Sequence, residues 1–136
     1  MVIIDDHLAI RALGGLPVPT ASSDDVVATT WGFHFRLVRA LADPRVEGRL
    51  TGTTPAALRA TAARPPAGRL VVLDPRDVTG EAARIAVEHG LNLLASELIA
   101  SAKAHEARIV LTAANVGGRW RTACDAEGLA LDVVDV

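Results

Sequence analysis

The strongest constraint on the fold is a set of four short runs rich in Val, Ile and Leu, separated by helix-forming sequence. They are residues 1–4, 69–73, 108–112 and 129–134. Brief aliphatic runs of this kind, closed by polar residues such as Asp5-Asp6 or Asp74-Pro75, suit strands buried on both faces. Strands that alternate with helices imply a parallel sheet covered on each side. The expected architecture is therefore α/β: a three-layer α/β/α domain with a mainly parallel sheet, occupying residues 1–136 as a single unit.

The intervening segments carry helix signals. Residues 7–13 read as a brief helix stopped by Gly14-Gly15, before a loop whose Pro17 and Pro19 fit neither regular element. Ser23 is a suitable N-cap, and Asp24 and Asp25 would fall in the first turn, where the helix dipole favours negative charge. Val27, Trp31, His34, Val38 and Leu41 then recur at three- and four-residue spacing, which predicts one helix from Ser23 to the stop at Asp43-Pro44. Thr54-Pro55 starts another, ended by Arg64-Pro65-Pro66, and the polar, glycine-containing residues 45–52 read as a mobile loop. Thr79 is expected to cap a helix ending at Gly90, and Asn92 the next. A last helix is expected from Arg119 to Glu127, ending at Gly128.

Composition narrows the function classes. Half of the 136 residues are hydrophobic and only Trp31, Phe33, Phe35 and Trp120 are aromatic, so the core must be aliphatic. Fourteen basic residues face sixteen acidic ones, a net charge of −2. Nucleic-acid binders usually carry a basic surplus, which is missing here. A lone cysteine, Cys124, forbids an intrachain disulfide and suits a reducing compartment. No apolar run approaches the ~20 residues needed to span a bilayer, and no signal peptide is evident. A cytoplasmic protein without membrane contact is expected.

With acids at the end of the first strand, this order of elements resembles the PIN domain, especially its short toxin-type (VapC-like) members. Val2-Ile3-Ile4-Asp5 is similar to the family's opening strand and first metal-binding aspartate. The helical stretch Gly90-Leu91-Asn92-Leu93-Leu94-Ala95-Ser96-Glu97-Leu98-Ile99-Ala100 is similar to the segment that carries a third acid. Arg108-Ile109-Val110-Leu111-Thr112-Ala113-Ala114 is similar to the strand and Thr-x-Asp turn carrying a fourth, and residues 127–134 to the final strand. The resemblance implies a metal-dependent ribonuclease ancestry, in which clustered carboxylates hold Mg2+ or Mn2+ that activates water and stabilises charge at phosphorus.

The departures from that pattern are as informative. Asp5 is kept, and Asp6 stands where the family has a small polar residue. The glutamate expected on the second helix is replaced in the region of Thr29, Thr30 and Trp31. Ala95 falls at the third acid's position and Ala114 at the fourth's. Glu97 lies two residues beyond Ala95, roughly 200° around the helix, and reads as a solvated helix residue or an interface charge. Asp6 points away if the strand continues through it, and Asn115 offers a neutral oxygen. The metal candidates are thus Asp5 and Asp6, and the catalytic candidates Asp5, Asp6 and Glu97, with either no cofactor or weakly bound Mg2+ or Mn2+. The expected function is a degenerate toxin-type PIN protein retained for partner or nucleic-acid binding. The alternative is an active Mg2+-dependent endoribonuclease toxin with a rearranged site. The partners implied are a second copy of the chain, an antitoxin or other protein, and RNA.

Simpler structural roles compete for several of these residues. An aspartate just before His7 would cap the following helix. His34 sits on an apolar stripe and suits packing. Gly14-Gly15 and Gly117-Gly118 read as plain turns, since no phosphate-binding fingerprint accompanies them. Cys124, beside Ala123 and Ala126, is expected to be buried and unreactive. Arg119 and Arg121 read as a solvated face.

Overall fold

The computed structural model describes residues 1–43 and 70–136. The helix expected at Thr54-Pro55 and the loop expected at 45–52 lie outside the described residues. Five strands, β1 (Val2–Ile4), β2 (Val27–Thr30), β3 (Val71–Leu73), β4 (Arg108–Thr112) and β5 (Leu131–Val134), form one sheet. Their order is β3-β2-β1-β4-β5 and every neighbouring pair is parallel. The helices described are α1 (Asp6–Leu13), α2 (Trp31–Ala42), α3 (Thr79–His89), α4 (Leu93–Ala104) and α5 (Gly118–Ala126). None of them is long and apolar enough to cross a membrane.

The period-two alternation of strand side chains divides the core in two. Val2, Ile4 and Val110 point to one face, where they meet Leu8 and Ala9 of α1 and Leu37 and Leu41 of α2. Ile3, Ile109 and Leu111 point to the other, where Ile85 of α3, Leu98 and Ile99 of α4 and Cys124 of α5 cover them. Each fully buried Leu or Ile stabilises the fold by about 2 kcal/mol, so the aliphatic composition is sufficient for both layers. The three-layer α/β expectation holds, and among the described residues the sheet is parallel throughout.

One expected element is wrong. Residues 23–30 do not begin α2: Val27–Thr30 is a strand, and α2 starts at Trp31 with the Thr30 hydroxyl accepting from Phe33 N–H. Val27 and Trp31 match helical spacing by accident. The run Val27-Ala28-Thr29-Thr30 is stabilised instead by pairing with β1, Val2 lying opposite Val27 and Ile4 opposite Thr29. The Thr29 hydroxyl donates to the Ile4 carbonyl at 2.8 Å, which satisfies a buried polar group inside the sheet. Smaller differences are of capping. Thr79 is the first residue of α3 rather than its cap, and its hydroxyl bonds to the Pro75 carbonyl at 2.9 Å. Asn92 caps α4 through Ala95 N–H at 2.9 Å, as expected. Gly90 closes α3 with φ of 63°, a left-handed conformation that glycine adopts without a Cβ penalty.

Candidate functional site

Parallel pairing of β1 with β4 sets Ile4 opposite Val110, so Asp5 leaves the sheet beside Thr112. The strand stops at Ile4 and α1 begins at Asp6, so Asp6 does not continue the strand's alternation and turns to the same corner as Asp5. Asp5 is fully buried and Asp6 nearly so.

Four protein donors reach the Asp5 carboxylate. Its Oδ1 accepts from Leu8 N–H at 2.9 Å, which makes it the N-cap of α1. Its Oδ2 accepts from the Thr112 backbone N–H and the Thr112 hydroxyl, both at 2.7 Å, and from Asn115 Nδ2 at 2.9 Å. A carboxylate has about four acceptor positions, so these donors crowd Oδ2 with three bonds and leave Oδ1 with the single bond from Leu8. With its proton directed at Asp5, Thr112 Oγ1 is left to accept from His7 Nδ1, 3.3 Å away.

Asp6 Oδ1 accepts from the same Asn115 amide group at 3.0 Å, and its Oδ2 lies 3.3 Å from the Arg36 guanidinium. Arg36 also donates to Asn115 Oδ1 at 3.2 Å, and lies 5.8 Å from the centre of the Phe33 ring. Asn115 therefore turns its amide hydrogens to the two acids and its oxygen to Arg36. The neutral oxygen expected of Asn115 faces a cation that belongs to the protein. Few acceptor positions remain on the buried pair, a poor match to the near-octahedral oxygen shell that Mg2+ requires.

Glu97 is elsewhere. It is buried, contrary to the solvated role expected of it, and both its oxygens face Gly32 N–H, at 3.0 and 3.3 Å. Burial raises its pKa above the usual value, and backbone N–H groups of Gly32 and Trp31 pull the other way. The carboxylate thus sits at the N-terminus of α2, where free N–H groups favour negative charge. Gly32 makes room for it: a Cβ there would meet Leu94 Cδ1 at 2.9 Å and Glu97 Oε2 at 3.4 Å. Among the described residues, the group of three potential metal-ligating side chains with ligand atoms mutually within 4.8 Å is Glu88, His89 and Glu127, not Asp5, Asp6 and Glu97. Ala95 is fully buried, and Ala113-Ala114-Asn115 forms a short 3-10 turn after β4.

The Glu88, His89 and Glu127 group is already neutralised. Glu127 accepts from Lys103 at 2.8 Å, Arg84 at 2.9 Å and His89 at 3.0 Å, so its carboxyl is held down to about 2. Arg84 also pairs with Glu81 and Glu88. This network ties α3, α4 and the end of α5 together.

Other residues take structural roles. Arg119 donates to the Gly90 carbonyl at 3.1 Å and secures the end of α3. Cys124 is buried, and burial lifts its thiol to about 11. His34 is buried and its pKa lowered by desolvation. Sequence reading overlooked Arg36 altogether and considered Thr112 only for the acid missing after it. An arginine on a helix carries no local sign of which strand end it will reach.

No family model matches the chain, and no curated protein does. Solved structures that share its fold include FitAB bound to an IR36 DNA fragment and FitAcB from Neisseria gonorrhoeae. Each is 17% identical to this chain with a TM-score of 0.55. The first match covers 98% of this chain and 94% of the other, the second 97% and 96%. At that identity the likeness is one of fold, and the fold is PIN-like.

Proposed function

We propose that this protein is a degenerate member of the toxin-type PIN lineage that acts by binding a protein partner and has no resident divalent metal. The carrying observation is that four donors from Leu8, Thr112 and Asn115 hold the fully buried Asp5 carboxylate. A metal nuclease needs carboxylate oxygens open towards the ion and its water. Ala95 and Ala114, at the positions where the resemblance expects further acids, supply none. Glu97 serves the start of α2 instead.

The charge balance favours protein over nucleic acid as the partner. FitAB shares the fold and is bound to DNA, but a chain of net charge −2 brings no surplus of cations for phosphate neutralisation. Trp31 and Phe35 lie one turn apart on α2 and are 49% and 59% exposed, large apolar groups of the kind that anchor protein interfaces.

The test is cleavage of single-stranded and structured RNA with Mg2+ or Mn2+, comparing wild type with Asp5→Asn. No metal-dependent product in either protein is the expected result. Cleavage by wild type that disappears in Asp5→Asn would overturn the reading.

A further inference from the structure

We infer that Arg36 is the resident cation of the acidic corner, and that with Asn115 it keeps closed a latent divalent-metal centre formed by Asp5, Asp6 and position 115. The inference rests on the non-hydrolytic reading above and says what has taken the metal's place.

Three observations carry it. First, two buried carboxylates on consecutive residues would repel one another in a poorly solvated corner, and such a pair requires a counter-charge. The Arg36 guanidinium, 3.3 Å from Asp6, supplies it. Second, Asn115 touches all three charged groups: Asp5 at 2.9 Å, Asp6 at 3.0 Å and Arg36 at 3.2 Å. Its amide bridges anions to cation as a neutral hinge, donating to one side and accepting from the other. Third, the two residues come from elements far apart in the chain, α2 and the turn after β4, yet converge on one carboxylate pair.

The chemistry of the donor set follows. An aspartate at 115 would withdraw the amide donors from Asp5 and Asp6 and add a third carboxylate. Loss of the guanidinium would open the remaining oxygen of Asp6. Three carboxylates with open oxygens form an acceptor set suited to a hard divalent cation, with water completing the shell. With Arg36 present the same position is already held by a fixed positive charge that cannot be deprotonated.

The test is calorimetric titration of Mn2+ into wild type, Asn115→Asp, and the double variant Arg36→Gln with Asn115→Asp. The double variant is expected to bind Mn2+ at least about tenfold more tightly than wild type, with Asn115→Asp alone clearly weaker than the double. A folded double variant that binds no better than wild type would overturn the inference. So would Asn115→Asp binding as tightly as the double, because Arg36 would then not be the occupant. If the three carboxylates prevent folding without metal, circular dichroism decides. Recovery of helix on adding Mn2+ supports the latent centre, and no recovery overturns it. RNA cleavage by wild type is a separate result that would remove the functional reading, whereas these binding outcomes bear on Arg36 itself.

Discussion

Thr112 gives Asp5 two hydrogen bonds of 2.7 Å, one from its backbone N–H and one from its hydroxyl, across 107 residues of chain. The pair joins the end of β1 to the end of β4, and with Leu8 N–H and the Asn115 amide it brings four donors to one buried carboxylate. Asp5 thereby serves as a structural post at the N-terminus of α1.

Thr112→Val keeps the shape of the side chain and removes the hydroxyl donor. A hydrogen bond to a charged group contributes about 1.5–3 kcal/mol, and a loss of stability of about that size is expected in urea unfolding. Thr112→Ser should lose much less. Equal stability of Thr112→Val and wild type would mean that the Asp5 carboxylate does not depend on this donor.

Glu97 gives a pH dependence whose sign is fixed by burial. Its folded pKa is raised, so the folded state holds this proton more tightly than the unfolded chain. The associated stability is fully present below the unfolded value and is lost as pH rises through the folded one. Relative to Glu97→Gln, wild type should therefore lose stability as pH rises above the usual glutamate value of 4.5. Unfolding midpoints followed upward from acid pH are the measurement, and parallel curves for the two proteins would contradict it.

Glu127 behaves in the opposite sense. Lys103, His89 and Arg84 hold its carboxyl down to about 2, so its stabilisation is present above its usual 4.5 and is lost as pH falls towards 2. Glu127→Gln should lower stability at neutral pH by about 1–2 kcal/mol, since the surrounding cations are partly solvated. It should also flatten the acid limb of the stability curve. An acid limb as steep as that of wild type would assign acid unfolding to other carboxylates.

Homodimerisation is a further proposal. Leu93 of α4 is 78% exposed and Val87 of α3 is 87% exposed, and a second copy of the chain would cover such apolar groups. Sedimentation velocity should show a dimer for wild type and a monomer for Leu93→Asp, with helix content unchanged. A monomeric wild type at micromolar concentration would exclude it.

The sequence by itself determined what depends on near neighbours. The aliphatic runs at β1 and β4, the Asn92 cap, the left-handed Gly90 and the buried Cys124 follow from residue type and short spacing, and they sufficed for a parallel α/β sheet with acids at a strand end. It also set Ala95 and Ala114 at the positions where the PIN resemblance expects acids, because that comparison needs only order along the chain. Only the tertiary structure decided that Val27–Thr30 is a strand, since its stability comes from pairing with β1 rather than from its own periodicity. The same holds for Glu97, whose carboxylate reaches Gly32 across 65 residues, and for Arg36, which reaches Asn115 across 79. Helical spacing says which side of a helix a residue occupies, but not which strand end that side will face. That is fixed by the order in which strands join the sheet, a choice made by burial and pairing over the whole domain.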